Sequence, residues 1–150
     1  MKTALITGAT SGIGKATAEL FAKQGFNLIL CGRRQERLEQ LQNELGRDTA
    51  IFILNFDVRN REDVFSAIES LPKEFSEIDI LVNNAGIIHP VPLLEMPEDQ
   101  WDRTIAVHLK GTFNGTQAVA RHMKDHGGGK IINMSSISGK IGAARFSAYC

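Results

Sequence analysis

The segment Lys2-Thr-Ala-Leu-Ile-Thr7, followed directly by Gly8-Ala-Thr-Ser-Gly12-Ile-Gly14, decides the fold. A short apolar run enters three closely spaced glycines, after which residues recur three or four apart, at Ile13, Ala16 or Thr17, Leu20 and Gln24. Gly25 stands where a helix commonly ends in a glycine. The pattern predicts a strand, a tight turn and a helix. Such a turn aims unpaired N–H groups and the positive end of the helix dipole at an anion, so it indicates a phosphate site, with a turn that binds nothing as the alternative.

The composition excludes several kinds of partner. Seventeen basic and seventeen acidic residues cancel, so no overall field draws the chain to nucleic acid or to an anionic membrane. No apolar run approaches a membrane span, and no secretory leader precedes the first strand. Two cysteines, Cys31 and Cys150, fit a reducing compartment, and no Cys/His spacing suggests a metal site. We therefore expect a cytoplasmic protein without a metal that recognises a small molecule.

Apolar runs and helical patterns alternate along the whole chain. Strands are expected at 2–7, 27–31, 50–56, 78–82 and 130–134. Alternation of this kind predicts an α/β fold with a doubly wound parallel sheet of the Rossmann type, helices on both faces and the strand order 3-2-1-4-5.

The helices between these strands have recognisable ends and apolar stripes. One opens at Arg33 and Arg34 and buries Leu38, Leu41 and Leu45. Another is capped by Asn60 and Asp63, and buries Val64, Ala67, Ile68 and Leu71. Pro97 opens a long helix with a predicted inner stripe of Trp101, Ile105, His108, Thr112, Thr116, Val119 and Met123.

Polar and glycine-rich segments follow the carboxyl ends of the predicted strands. In a sheet of this order, ligands bind where the order reverses between the first and fourth strands. The segments that meet there are Gly8–Gly14, Gly32–Arg34, Asp57, Asn83–Gly86 and Ser135–Ser136. Their convergence predicts a ligand site.

Arg33 follows the second strand, where the ribose of a bound dinucleotide would lie. An acidic residue there would accept a hydrogen bond from a 2′-hydroxyl, whereas a guanidinium suits a 2′-phosphate. No acid ends this strand, so NADP(H) is favoured over NAD(H). The alternative is that Arg33 and Arg34 merely begin a solvated helix. Asp57 could accept from an adenine amino group or simply cap a turn.

Three serines, Ser135, Ser136 and Ser138, precede Tyr149, the single tyrosine. Near a nicotinamide, a serine could hold a carbonyl oxygen while a phenol delivers the proton. Because the pKa of tyrosine is ordinarily about 10, the phenol would need a nearby cation. The spacing alone also allows both residues to be structural.

Taken together, these motifs resemble the short-chain dehydrogenase/reductase family. The matching motifs are Thr7-Gly8-xxx-Gly12-Ile13-Gly14, Asp57, Asn83-Asn84-Ala85-Gly86, and Ser136 thirteen residues before Tyr149. The resemblance implies hydride transfer between NAD(P) and an alcohol or carbonyl, with Ser136 orienting substrate and Tyr149 as general acid/base. Three further stretches resemble those of NADP-dependent 3-hydroxy-acid (serine-type) dehydrogenases: Arg33-Arg-Gln-Glu-Arg-Leu, Asp57-Val-Arg-Asn and Ile78-Asp-Ile-Leu-Val-Asn-Asn-Ala-Gly. The 3-oxoacyl-carrier-protein reductases are also similar. The residues predicted to contact the dinucleotide are Gly8, Thr10, Ser11, Gly12, Ile13, Gly14, Arg33, Arg34, Asp57, Val58, Asn84, Ala85 and Gly86.

Two departures from the family pattern matter. His108 stands where the family has an active-site Asn that supports a water in the proton path; it is either a relay or a satisfied inner-face histidine. The family's Lys, four residues after the Tyr, would fall at position 153, and the sequence ends at Cys150. We therefore expect the domain at 1–150 to be incomplete before its last two strands and inactive alone. The whole polypeptide would have roughly 230–260 residues.

Two functions remain open at this point. The first is an NADP-dependent oxidoreductase acting on a small carbonyl or alcohol of the 3-oxo/3-hydroxy acid or acyl type, assembled as a homodimer or homotetramer through the long helix. The second is a non-catalytic dinucleotide-binding or redox-sensing module, which would explain His108 and the absent Lys. A methyltransferase is disfavoured by Arg33 and the Ser136/Tyr149 pair.

Overall fold

A single parallel sheet forms the centre of the molecule. The computed structural model describes residues 1–47 and 49–150. Its strands are Thr3–Thr7 (β1), Asn27–Gly32 (β2), Ile51–Asn55 (β3), Ile80–Asn83 (β4) and Lys130–Asn133 (β5). All paired strands run parallel, in the order β3-β2-β1-β4-β5. The predicted doubly wound architecture and strand order are confirmed, and the strand ends lie within two residues of the expected ones.

Helices cover both faces of this sheet. They are Gly12–Lys23 (α1), Gln35–Leu45 (α2), Arg61–Glu69 (α3), Glu98–Ile105 (α4) and Gly111–Asp125 (α5). Successive side chains of a strand point to opposite faces, so Leu5 joins a core layer with α3 and α5, while Ala4 and Ile6 join one with α1 and α2. Along the described ranges, none of the helices combines the length and apolarity needed to cross a bilayer.

The helix predicted after the glycines is present as α1, and it packs on the sheet through small residues. Gly14, Ala18 and Ala22 are buried, whereas Ile13 and Leu20 are 62% and 56% exposed. Small side chains allow the helix axis to approach the strands closely, and the resulting close packing stabilises the fold. The larger apolar residues that suggested the helical period point away from the sheet.

The long helix predicted after Pro97 is interrupted. A π-helical turn, Ala106–Lys110, separates α4 from α5. Trp101, expected inside, is 39% exposed, and the predicted stripe matches the buried face only from Val119 onward. The π turn adds a residue to the local repeat and so moves the inner face. That face also carries small or polar residues that an apolar pattern does not mark: Thr104, Gly111, Asn114, Gly115 and Ala118.

Helix ends agree with the predictions in part. The Asn60 side chain accepts hydrogen bonds from the backbone N–H groups of Glu62 (3.1 Å) and Asp63 (3.4 Å), which confirms the predicted cap of α3. The α2 helix begins at Gln35, two residues after the expected start. Pro97 is the residue before α4 rather than its first helical residue.

The fifth strand lies at the edge of the described sheet. It pairs with β4 alone among residues 1–47 and 49–150, as the sequence predicts. Ile131 and Ile132 are 38% and 43% exposed there. Apolar residues on an edge strand are a site for further pairing or covering.

The packing of α1 predicts a position-dependent cost. Ala18→Leu should lower the free energy of unfolding by about 1–3 kcal/mol, because the added atoms must displace the sheet or the helix. Ala16→Leu, the same change on the exposed side of α1, should alter it by less than about 0.5 kcal/mol. Urea unfolding of both variants tests this, and equal losses would contradict the assigned inner face.

Candidate functional site

A cavity opens at the carboxyl edge of the sheet, where the strand order reverses. We call it the central cavity; its volume is about 550 Å³. Segments that follow β1, β2, β3 and β4 all contribute to it, as expected for a sheet of this order. Its lining includes Gly8, Thr10, Ser11, Gly12, Ile13, Gly32, Arg33, Arg34, Phe56, Asp57, Val58, Asn84, Ala85, Gly86, Ile87 and Ile88.

The turn between β1 and α1 forms one wall. Gly8 and Gly12 have φ values of +66° and +54°, in the left-handed region that favours glycine. A Cβ at Gly8 would lie 2.9 Å from the Ala85 Cα, so the turn presses on the segment after β4. A Cβ at Gly12 would meet no described atom within 4 Å, so the start of α1 is open to the cavity. The first N–H groups of a helix lack intrahelical partners and favour an anion.

Gly14 shapes this turn from behind. It does not line the central cavity. A Cβ at this position would fall on the carbonyl group of Gly8 and 2.5 Å from the Asn84 Nδ2. Gly14 therefore allows α1 to start directly beneath the turn, and the prediction that it contacts a dinucleotide stays a prediction.

Hydrogen bonds join the turn between β1 and α1 (residues 8–11), here called the glycine turn, to the end of β4. The Asn84 amide donates to the carbonyl oxygens of Thr7 (3.0 Å) and Gly8 (3.3 Å). The Thr7 hydroxyl accepts from the N–H groups of Asn84 (3.0 Å) and Ala85 (3.1 Å). These bonds satisfy backbone groups that a buried turn would otherwise leave unpaired, and they fix the two walls relative to each other.

Two guanidinium groups lie at the rim beside the glycine turn. Arg34 Nη2 donates to the hydroxyl of Thr10 (2.7 Å) and to that of Ser11 (3.2 Å). Arg33 has a half-exposed side chain, and its Nη1 is 3.8 Å from Asp57 Oδ2. The cations and the start of α1 together make this end of the cavity favourable for an anion.

Asp57 is held by a neighbour in its own turn. Its Oδ1 accepts from the backbone N–H of Arg59 at 3.0 Å, and its Oδ2 accepts from Arg59 Nη2 at 2.8 Å. Burial alone would raise the pKa of Asp57, but the hydrogen bonds and charge of Arg59, aided by Arg33, outweigh it and hold the pKa below its usual value. This is the turn-capping role left open by the sequence; a contact with adenine stays a prediction.

His108 lies in the π-helical turn and contacts both the cavity wall and Tyr149. Its Nε2 is 2.7 Å from the carbonyl oxygen and 3.1 Å from the nitrogen of Ile87. A protonated Nε2 can donate to that oxygen, and an unprotonated one can accept from that N–H. The ring meets Tyr149 edge-on at a centroid distance of 5.2 Å. His108 is therefore satisfied in either tautomer and also adjoins the predicted acid/base.

The predicted substrate-side hydroxyls lie in neighbouring segments. The Ser136 hydroxyl accepts from the Ser138 N–H at 3.2 Å, at the start of a short 3₁₀ turn, Ile137–Gly139. Tyr149 is partly buried and packs on His108 and Phe146. Within the described residues, no hydrogen bond joins the Ser136 and Tyr149 hydroxyls, so their joint role stays a prediction.

Comparisons with known proteins agree with this geometry. A family model described as short chain dehydrogenase matches residues 2–150. The chain belongs to the short-chain dehydrogenase family. It is 42% identical over 144 residues to a 3-oxoacyl-[acyl-carrier-protein] reductase of Thermotoga maritima. It is likewise 42% identical over 136 residues to an NADP-dependent 3-hydroxy acid dehydrogenase of Escherichia coli.

The coverage of these relatives is unequal. The two matches include 94% and 90% of this chain but 58% and 54% of the relatives, so the chain spans little more than half of their length. A solved structure of the closed form of serine dehydrogenase complexed with NADP⁺ superposes with a TM-score of 0.90 at 40% identity, covering 98% of this chain and 59% of that one. The resemblance stated from the motifs is confirmed.

Several residues of this short-chain dehydrogenase cavity have no motif to reveal them. Cys31, Phe56, Ile87, Ile88 and Val107 line it beside the predicted set. Four of them directly adjoin residues of the predicted site, so chain proximity could have found them: Cys31, Phe56, Ile87 and Val107. Ile88 is two residues beyond Gly86 and has no such neighbour. Among the described residues, no group of three or more His, Cys, Asp or Glu side chains could hold a metal.

The lowered pKa of Asp57 predicts a dependence of stability on pH. A carboxylate with a depressed folded-state pKa stabilises the fold fully above its unfolded value, 3.8, and loses that contribution as the pH falls through the folded value. Asp57→Asn cannot titrate. The stability advantage of the parent over this variant should therefore shrink between about pH 6 and about pH 3. Denaturant midpoints at both pH values test this, and a constant difference would contradict it.

Proposed function

We propose that the protein is an NADP-dependent oxidoreductase that moves hydride between the nicotinamide and a small carbonyl or hydroxyl substrate of the 3-oxo/3-hydroxy acid or acyl type. One observation carries the proposal. The central cavity has an anion-binding end, at the start of α1 with Arg33 and Arg34, and its wall at Ile87 leads through His108 to Tyr149. A cavity of about 550 Å³ is within the range of small-molecule sites.

The residues at the anion-binding end fit a dinucleotide phosphate. The free N–H groups at the start of α1 suit a pyrophosphate, and the two guanidinium groups suit a 2′-phosphate. Arg33 is the residue we favoured from the sequence, and Arg34, bonded to neutral hydroxyls of the glycine turn, shares the role. Relatives include NAD-dependent as well as NADP-dependent enzymes, so this pair of cations is what favours NADP(H) here.

The catalytic residues of the proposal are Ser136 and Tyr149. The bound nicotinamide supplies or takes up the hydride. During carbonyl reduction, the Ser136 hydroxyl holds the carbonyl oxygen and the Tyr149 phenol gives its proton to that oxygen; oxidation reverses the transfer. Because a phenol is a weak acid, a nearby cation must stabilise the phenolate that remains after the proton is given up.

His108 has a place in the same proton path. Its ring lies against Tyr149, and its Nε2 is held by the backbone of Ile87. We assign to it the support of a water near the phenol, the role that an Asn has in the family. A second candidate function, a dinucleotide-binding module without catalysis, is favoured by this same replacement and by nothing else in the site.

Compartment and assembly complete the proposal. Both cysteines are free in the described part of the chain, which supports a reducing cytoplasm. Leu109 and Phe113 are 65% and 55% exposed on the outer side of the long helical segment. Large exposed apolar residues favour an interface, so we propose a homodimer or homotetramer formed through this segment.

Cofactor preference gives the first functional prediction. Arg33→Ala and Arg34→Ala should each weaken NADPH binding by about 1–3 kcal/mol through loss of a charge-assisted contact, and leave NADH nearly unchanged. Arg37→Ala removes an exposed cation of α2 that does not line the cavity, and should change neither affinity. Calorimetric titration measures all three. Equal losses of affinity for NADPH and NADH would show that the arginines do not bind the 2′-phosphate.

The second functional prediction concerns the variant Tyr149→Phe. In the protein expressed from its complete gene, this change should lower kcat by at least about a hundredfold, because the proton donor is lost. NADPH affinity should remain nearly intact, because the phenol is not part of the anion-binding end. The measurement is NADPH absorbance with small 3-oxo acids and aldehydes.

The parent protein supplies the control for that experiment. If it binds NADPH tightly and turns over no carbonyl or alcohol, the oxidoreductase proposal fails and the non-catalytic module replaces it. If Tyr149→Phe retains full turnover, the oxidoreductase stands but the assignment of the acid/base is wrong.

A further inference from the structure

A contact between two loops joins the cavity wall to the segment that carries Tyr149. The backbone N–H of Val91 donates to the carbonyl oxygen of Arg145 at 2.8 Å. Arg145 Nη2 donates to the carbonyl oxygen of Pro90 at 3.3 Å. We call Pro90, Val91 and Arg145 the loop junction. It couples the loop after β4 to the turn that precedes Tyr149.

Arg145 has an unfavourable backbone conformation at this junction. Its φ is +68°, and among the described residues it is the one non-glycine residue with a positive φ. In this region an L side chain crowds its own backbone, and glycine adopts it freely. Strain of this kind persists where surrounding contacts impose it, and it is concentrated at functional sites. An arginine at a position suited to glycine indicates that the side chain itself has a use.

Arg145 contacts the loop that continues from the cavity wall. Ile88 lines the central cavity, and Pro90, which Arg145 contacts, is two residues farther along the same loop. Two residues of chain span at most about 7 Å. Tyr149 follows Arg145 by four residues. Phe146, the residue after Arg145, packs on Tyr149. The loop junction therefore links the loop that leaves the cavity wall to the segment that carries the proposed acid/base.

The charge of Arg145 has no acidic partner, and two polar atoms in nearby residues have no hydrogen-bond partner among the described residues. Arg145 is exposed, and no carboxylate lies within ion-pair distance of it in the described part of the chain. His89 Nε2 and Ser147 Oγ, one residue before Pro90 and two after Arg145, are buried without a hydrogen-bond partner among the described residues. Buried polar atoms without partners are rare in native structures, and a polar ligand is one way in which such atoms are satisfied.

We infer that Arg145 is a specificity-determining residue that binds the carboxylate of an acidic substrate at the loop junction. The inference rests on the proposed function and narrows its substrate to hydroxy and oxo acids. A guanidinium presents a planar pair of donors that matches a carboxylate, and here its charge is not neutralised by a described acidic residue. A neutral alcohol or ester offers no such match.

The test compares two substrates that differ in charge. The protein expressed from its complete gene is assayed with 3-hydroxybutanoate and with 3-hydroxybutanamide, in the parent, in Arg145→Gly and in Lys140→Ala. The glycine variant removes the guanidinium and suits the positive φ, so it should unfold at a midpoint no lower than that of the parent. It should lower kcat/KM for the acid by about tenfold to a hundredfold, and for the amide much less.

Lys140→Ala is the control, and two results for Arg145→Gly would contradict the inference. Lys140→Ala removes an exposed cation of the same segment outside the junction and should leave both substrates unaffected. Equal losses for acid and amide in Arg145→Gly, or no loss for the acid, would overturn the inference and leave Arg145 a structural contact.

A direct binding measurement separates this inference from the proposed function. If the parent turns over neither compound, calorimetry with 3-hydroxybutanoate on the NADP⁺-saturated protein takes over. Binding that is lost in Arg145→Gly supports the carboxylate site even though the oxidoreductase proposal has failed. Absent binding to the parent, or equal binding to both proteins, overturns the inference.

Discussion

The contact of the glycine turn with the end of β4 is the constraint on which the site depends. Asn84 and Thr7 exchange hydrogen bonds with the backbone of the opposite segment, and the Gly8 backbone presses against Ala85. Because no side chain fits between these walls, glycine is required at the turn. The same contact leaves the start of α1 facing open space, so one set of steric conditions creates both the wall and the anion-binding end of the cavity.

Charge is arranged unevenly around this cavity. Arg33 and Arg34 lie at the end beside the glycine turn, and Arg59 keeps Asp57 ionised by lowering its pKa. The Asp57 carboxylate lies 3.8 Å from Arg33 and reduces the positive potential there. Within the described part of the chain, it forms no ion pair with Arg34. At the other end, the wall is apolar until His108 and Tyr149. An elongated ligand with an anionic end and an apolar reactive end is complementary to this distribution, which is why a phosphorylated nicotinamide dinucleotide is the proposed occupant.

Much of the architecture could be predicted because buried parallel strands are continuous apolar runs, each ending in a polar or glycine-rich segment. Strand order, the cap at Asn60 and the segments around the cavity all follow from such local signals. The inner face of α1 could not be predicted, because it consists of small residues such as Ala18. The inner face of the long helix could not be predicted either, because a π turn displaces it. The partners of Arg34 and Arg59 are set by turn geometry, and the positive φ of Arg145 has no composition signal at all.

The central claim is that the cavity between the glycine turn and the end of β4 holds the dinucleotide. A crystal structure of this protein grown with NADPH tests it most directly. The account predicts the pyrophosphate against the backbone N–H groups at the start of α1 and the 2′-phosphate between Arg33 and Arg34. Density for the nucleotide at any other surface, or an empty cavity at saturating NADPH, would contradict it.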